Sequence, residues 1–211
     1  MQLHADELDP EQTYKLLTGV VVPRPIAWVS TRSEHGVVNV APFSAFTFVS
    51  NKPPMLGINI GRKAGVRKDT ANNILQAREY VVHIADVALT EAVHASAVEH
   101  GPEISEADLL GLRLLDNLCV SVPRLEAPPV AMECRLHSVT PFGDTGAEFF
   151  VGEVLCWHLR DGLLKNGKVT SADLDPVCRL GGPNYAALGR QIALTPIAQT
   201  AKTVMRQESG G

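Results

Sequence analysis

Four cations fall within seven residues of the stretch GRKAGVRKDT: Arg62, Lys63, Arg67 and Lys68. They directly precede DTANNILQARE, which reads as a helix over residues 69–79 with Asp69 or Thr70 at its start. A helix start presents unpaired backbone N–H groups and the positive end of the helix dipole. Lysine and arginine beside such donors make a place for a phosphate. The plain alternative is a solvated basic loop.

A second chemical feature lies just upstream. The stretch NVAPFSAFTFVSNKPP, residues 39–54, threads Ser44, Thr47 and Ser50 between Phe43, Phe46 and Phe48. It is too rich in proline for a helix and too apolar for a free surface loop. It reads as a segment that leaves one strand at Val40 and enters the next after Pro53–Pro54. Backbone N–H groups there are not all used by ladder bonds, so they can face a ligand, as can the hydroxyls. Amides, hydroxyls and a flat apolar wall suit a planar heteroaromatic with polar edges. The plain alternative is that the phenylalanines are core and the hydroxyls satisfy turns. MLGINIG, residues 55–61, joins the two features as a strand. Seven extended residues span on the order of 20 Å, and curvature brings the ends toward the size of a mononucleotide-like ligand.

Other chemistries lack their signatures. The seven histidines, His4, His35, His83, His94, His100, His137 and His158, form no HxxxH or HExxH pair, so no metal site is expected. His83 and His137 fall in strands. GxSxG, GxGxxG and a Ser–His–Asp arrangement are absent, and no catalytic acid or base is assigned. Cys119, Cys134, Cys156 and Cys178 are widely spaced without a CxxC pair, which fits reduced core residues. Trp28, in the apolar run PIAWVST, is expected in the core.

The elements that must hold these residues are mostly strands. Residues 6–18 read as a short helix capped by Asp9, with Pro10 in its first turn and Gly19 at its end. VVVPRPIAWVSTRSEHGVVNVAPF reads as two strands about the turn SEHG, with Pro23 and Pro25 forcing extended entry. After the helix at 69–79, YVVHIAD returns to strand. Residues 87–118 are helical but broken. The second half alternates apolar and polar residues, with a hairpin at Gly143–Gly146. Many strands with few short helices point to an antiparallel barrel. With 211 residues, no dividing linker, 45% hydrophobic and 20% charged residues, the chain is expected to be one globular domain over 1–211, frayed from about 199. A net charge of −4 argues against a general grip on nucleic acid or an anionic membrane. No apolar run approaches a membrane span, and the acidic N-terminus is no signal peptide, so a cytoplasmic location is expected.

PRPIAWVST at 23–31, followed by Gly36, Asn39, APFSAF, VSNKPP and RKDTANNI, resembles the flavin reductase-like family, which includes reductase components of two-component monooxygenases and flavoredoxins. LDPVCRLGGPNYAALG at 174–189 is similar to that family's C-terminal pattern. The resemblance spans about residues 10–195. It implies a six-stranded antiparallel Greek-key split β-barrel with peripheral helices, and a homodimer with FMN near the subunit interface. It places Ser44, Ala45, Phe46, Thr47, Val49 and Ser50 on the flavin, and Arg62, Lys68, Asp69 and Thr70 on its phosphate. Asn59, Ile60 and Gly61 would line the ribityl chain. Ala45 departs from a polar residue common at that position. The implied activity is flavin reduction by NADH or NADPH, with a monooxygenase or electron-transfer partner to receive the electrons. Candidates for the nicotinamide side are His158 and Tyr185, with Gly181–Gly182 allowing close approach. Two other readings stand: a tightly FMN-bound electron carrier, and a noncatalytic barrel for another phosphorylated aromatic ligand.

Overall fold

The structure is a computed structural model and describes residues 1–195. The expected frayed tail from about 199 lies outside the described residues.

The first helix, α1, spans Pro10–Val20. Asp9 accepts from the N–H of Gln12 at 2.8 Å, and Gln12 Oε1 accepts from the N–H of Asp9 at 3.1 Å. This reciprocal cap, with Pro10 in the first turn, fixes the helix start. The helix passes through Gly19 and ends one residue later than expected, at Val20.

Seven strands form the main sheet: β1 (Ala27–Arg32), β2 (Val38–Phe43), β3 (Phe46–Asn51), β4 (Pro54–Ile60), β5 (Glu79–Ile84), β6 (Val130–Phe142) and β7 (Ala147–Leu159). Their order is β2-β1-β5-β6-β7-β4-β3, and every pairing is antiparallel. Six of them send buried side chains into one core. Val29, Phe43, Ile58, Tyr80, Met132 and Phe150 are examples, one from each strand but β3. The sheet curls around that core as a split barrel. The seventh strand, β3, extends the sheet beyond the six expected. Its residues fall in the stretch read as a bend between strands, and most of them are exposed.

Helix α2, Asp69–Ala77, follows β4 and buries Thr70, Ala71, Asn73 and Ile74. Arg78 takes the left-handed conformation, φ 63°, at its C-cap, so the helix stops two residues short of the expected 79. The broken helical region resolves into a 3₁₀ turn at Val87–Leu89, α3 (Thr90–Ala95) and α4 (Glu106–Leu109). These pack on the outer face of the sheet around Ile26, Trp28, Val40 and Val93. Trp28 is fully buried there, and its Nε1–H donates to Ser96 Oγ at 2.9 Å. Gly143 and Gly146, with φ of 62° and 76°, turn the β6–β7 hairpin. Arg24–Pro25 stays outside the main sheet. It pairs with Cys178–Arg179, which pairs in turn with Tyr185–Ala186.

Candidate functional site

The basic loop resolves into paired cations and one without a carboxylate. Arg67 grips Glu148 on β7 through two bonds, Nε to Oε2 at 2.9 Å and Nη2 to Oε1 at 2.7 Å. That fork holds the Glu148 carboxyl below its usual range. Arg62 Nη2 also lies 3.9 Å from Glu148, over the hairpin at Gly146, where a Cβ would meet Arg62 Cδ at 2.7 Å. Lys63 pairs with Glu99. Lys68 has no carboxylate partner among the described residues, and its Nζ sits 5.8 Å from the Phe43 ring centroid. Lys68 is also the N-cap of α2, with no side-chain cap bond. The first-turn N–H groups of α2 are thus left open beside a free ammonium.

These groups open on a cavity of about 450 Å³ lined by Asn39, Phe43, Lys68, Asp69, Thr70, the Ser96–His100 segment and Glu106. A hydrogen-bonded network fixes its floor. Thr70 Oγ1 donates to Asn39 Oδ1 at 2.8 Å, and Asn39 Nδ2 donates to Glu106 Oε2 at 3.0 Å. Glu106 Oε2 also accepts from the N–H of Val40 at 2.9 Å. The Thr70 hydroxyl proton is therefore committed to Asn39, so toward an anion Thr70 offers its backbone N–H.

The hydroxyl-bearing stretch forms the adjoining wall. The N–H of Asn59 on β4 donates to the carbonyl of Ala45 at 2.8 Å, and Ala45 lies two residues past Phe43. The 39–54 stretch thus meets Lys68 at Phe43 and β4 at Ala45, two residues further on. Asn59 Oδ1 is buried with no partner among the described residues. A buried orphan acceptor costs free energy unless something donates to it. A ribityl hydroxyl is such a donor, so these residues fit a flavin mononucleotide.

Not every expected side chain points into this place. Phe46 packs on the barrel core, and Ile60 is buried in it. Phe48 is 79% exposed, and Val49 is exposed on the same edge strand. The three phenylalanines therefore form no continuous wall, because β3 runs past the rim of the core. Thr47 and Gly61 are exposed. Ser50 Oγ accepts from the N–H of Lys52 at 3.2 Å and serves the turn. Ser44 Oγ accepts from Arg24 Nε at 3.2 Å. Arg24 also donates to the carbonyls of Thr18, Val21 and Leu180, so it ties α1 and the C-terminal segment to the Ser44 bend. Arg24, Glu106 and Glu148 were not singled out from sequence. Apart from the Thr18 and Val21 carbonyls near Arg24, their partners lie 20 to 156 residues away, and no local signal marks them.

His158 and Tyr185 are not brought together. His158 Nε2 lies 2.6 Å from Glu133 Oε1 on the outer face of β6 and β7. Glu133 is fully buried and accepts from the N–H groups of Leu118, Cys119 and Val120 as well. Desolvation pushes its pKa up, but the four hydrogen bonds outweigh it and hold the carboxyl at about 2. His158 belongs to a loop anchor there, away from the cavity. Glu133, Cys156 and His158 also place their donor atoms within 4.8 Å of one another. The carboxylate's acceptor positions are already occupied by N–H donors, which leaves that group a structural one. Tyr185 instead meets His94 and Arg179.

Known proteins share this chain's family and fold. The model of the flavin reductase like domain matches residues 19–173. An uncharacterized protein of Halalkalibacterium halodurans is 40% identical over 199 residues, covering 92% of this chain and 95% of that protein. The structure is similar to nitrilotriacetate monooxygenase component B from Bacillus cereus, with a TM-score of 0.89 and 35% identity over 92% of this chain and 98% of that one. It is also similar to 2-nitrobenzoate 2-nitroreductase from Pseudomonas fluorescens, with a TM-score of 0.84 and 31% identity over 95% and 100%. A split barrel matched over residues 19–173 by the flavin reductase like domain, and over most of its length by a monooxygenase component and a nitroreductase, makes this chain an oxidoreductase of the flavin reductase like domain family.

Proposed function

We propose that the protein binds FMN and catalyses its reduction by NADH or NADPH. The observation that carries this reading is an unpaired Lys68 on an uncapped helix start, reached from β4, the strand that carries the orphan Asn59 oxygen. Lys68 and the N–H groups of Asp69 and Thr70 would hold the phosphate, and Asn59 a ribityl hydroxyl. Ser44, Ala45 and Ser50 would border the ring. Arg62 supports the loop beside Glu148. Bound flavin supplies hydride acceptance at its ring. The chain's own task is to hold and align it, which needs no protein acid or base. An assembled catalytic triad is accordingly not required.

The similarity to a monooxygenase component B supports transfer of the reduced flavin to a monooxygenase partner. A homodimer is supported by α1, whose Tyr14, Leu17 and Val20 are exposed beside the exposed Val21. Four free cysteines support work in a reducing cytoplasm, and no helix among the described residues is long and apolar enough to cross a membrane. The family match supports treating the chain as one domain. The test is a visible spectrum of the purified protein with added FMN, followed by aerobic NADH and NADPH consumption. Flavin bands without nicotinamide consumption would reassign the protein as an electron carrier. No flavin uptake would end the reading.

A further inference from the structure

Arg179, Tyr185 and His94 form a second donor cluster, at the short strand that pairs with Arg24. We propose that it binds a phosphoryl group of the nicotinamide dinucleotide, an inference that rests on the flavin reductase reading above. The Arg179 guanidinium stacks 4.5 Å from the centroid of the Tyr185 ring, and its Nη1 donates to the Tyr185 hydroxyl. His94 Nδ1 lies 3.1 Å from that hydroxyl, with its ring edge-on to Tyr185. With the hydroxyl oxygen taken by Arg179, its proton points at Nδ1. This places the remaining imidazole proton on Nε2, facing outward. Arg179 Nε and Nη2 and His94 Nε2 have no acceptor among the described residues.

Most arginines of the described residues are answered by a carboxylate or a carbonyl, and Arg179, Arg32 and Arg190 are not; of these three, only Arg179 is held by an aromatic ring. Arg62, Arg67, Arg113, Arg135 and Arg160 each meet a carboxylate, and Arg24 meets three carbonyls. Arg179 meets neither among the described residues, in a chain of net charge −4. A cluster that offers only N–H donors selects an anion, and the planar fork of a guanidinium fits phosphoryl oxygens. Stacking on Tyr185 restricts the side chain in advance, which lowers the ordering cost of binding.

Its position suits a second nucleotide. Arg179 is the ladder partner of Arg24, whose Nε reaches Ser44 at the bend. His94 lies two residues before Ser96, where the cavity wall begins. Lys68 and the α2 start take the flavin phosphate on the proposed reading. The Arg179 cluster is then left for the phosphate of the other reactant.

The test is calorimetric titration of the flavin-loaded protein with NADP⁺ and with NAD⁺, which needs no turnover. Arg179→Gln should weaken binding about tenfold, the worth of one charge-assisted contact, with the flavin spectrum and flavin affinity unchanged. Arg179→Lys keeps the charge but loses the fork and the stack on Tyr185, so its affinity should fall between wild type and the glutamine variant. Loss confined to NADP⁺ assigns the cluster to the 2′-phosphate, and equal loss with both assigns it to the pyrophosphate. Unchanged affinity for both, or a lysine variant as weak as glutamine, overturns the inference and leaves Arg179 a packing role. Flavin-loaded protein that binds neither dinucleotide also overturns it while the flavin reading stands. Failure of the flavin reading shows separately, as absent flavin absorbance before any titration; the same titrations on the flavin-free chain then decide the inference by the same criteria.

Discussion

Lys68→Ala separates the phosphate from the rest of the ligand. Of the four loop cations, Arg62 and Arg67 face Glu148 and Lys63 faces Glu99, which leaves Lys68 as the charge free to meet an anion. A hydrogen bond to a charged group contributes about 1.5–3 kcal/mol when well desolvated. Lys68 is exposed, so the lower end applies: about 1.5 kcal/mol, or roughly tenfold in affinity. The open N–H groups of α2 survive the substitution, so some preference for FMN over riboflavin remains. Fluorescence titration should show FMN weakened about tenfold and riboflavin changed less than about twofold. Raising the salt from roughly 0.05 to 0.5 M should narrow the gap between wild type and variant, because an exposed charge is screened. Arg67→Ala serves as the contrast. It strips Glu148 of its fork and should lower the melting temperature, whereas Lys68→Ala should not. Equal losses for FMN and riboflavin, or none for either, would refute the placement of the phosphate.

Asn59→Ala should weaken FMN and riboflavin alike, each by about 5- to 10-fold, since the ribityl chain is common to both. The flavin-free variant should melt no lower than wild type, because a buried acceptor without a partner is removed. His83 is fully buried, donates from Nδ1 to the Trp28 carbonyl at 2.8 Å and accepts at Nε2 from the N–H of Leu125 at 2.9 Å. Desolvation holds its pKa down to about 4. The unfolded chain binds this proton from pH 6.5 downward and the folded one resists, so stability is full above 6.5 and falls toward pH 4. The loss is about 3 kcal/mol over that window. Urea midpoints between pH 7.5 and 4.5 should fall more steeply for wild type than for His83→Asn, and parallel slopes would count against it. His158→Ala should lower the melting temperature by freeing one partner of Glu133, and leave the KM for nicotinamide unchanged; a raised KM would return His158 to the site.

Local signals in the sequence carried most of the fold. The reciprocal cap of Asp9 and Gln12, the glycine pair at 143 and 146 and the apolar setting of Trp28 act over a few residues, and each produced the element expected of it. The stretch from Phe43 to Asn51 misled for a physical reason. Proline and hydroxyl content argues against a ladder, yet an edge strand has one unpaired side and tolerates both. Phe46–Asn51 accordingly pairs with β4 on one side and leaves Phe48 and Val49 exposed.

The site divides along the same line, between what a residue is and what answers it. Four cations before a helix start are visible as charge, but a cation becomes a binding group only if the fold leaves it without a counter-ion. Glu148 neutralises Arg67 from 81 residues away, and Glu99 takes Lys63 from 36. Lys68 is left over by subtraction, and so is Arg179 beside Tyr185. His158 shows the reverse case: its residue type invites a role with the nicotinamide, and Glu133, 25 residues earlier on the neighbouring strand, claims it for a loop anchor. Pairings between strands set these assignments. On the proposed reading the binding groups are among those that the long-range contacts of the barrel leave unsatisfied, so Asn59 Oδ1 weighs more than Ser44 or Ser50, whose hydroxyls already have partners.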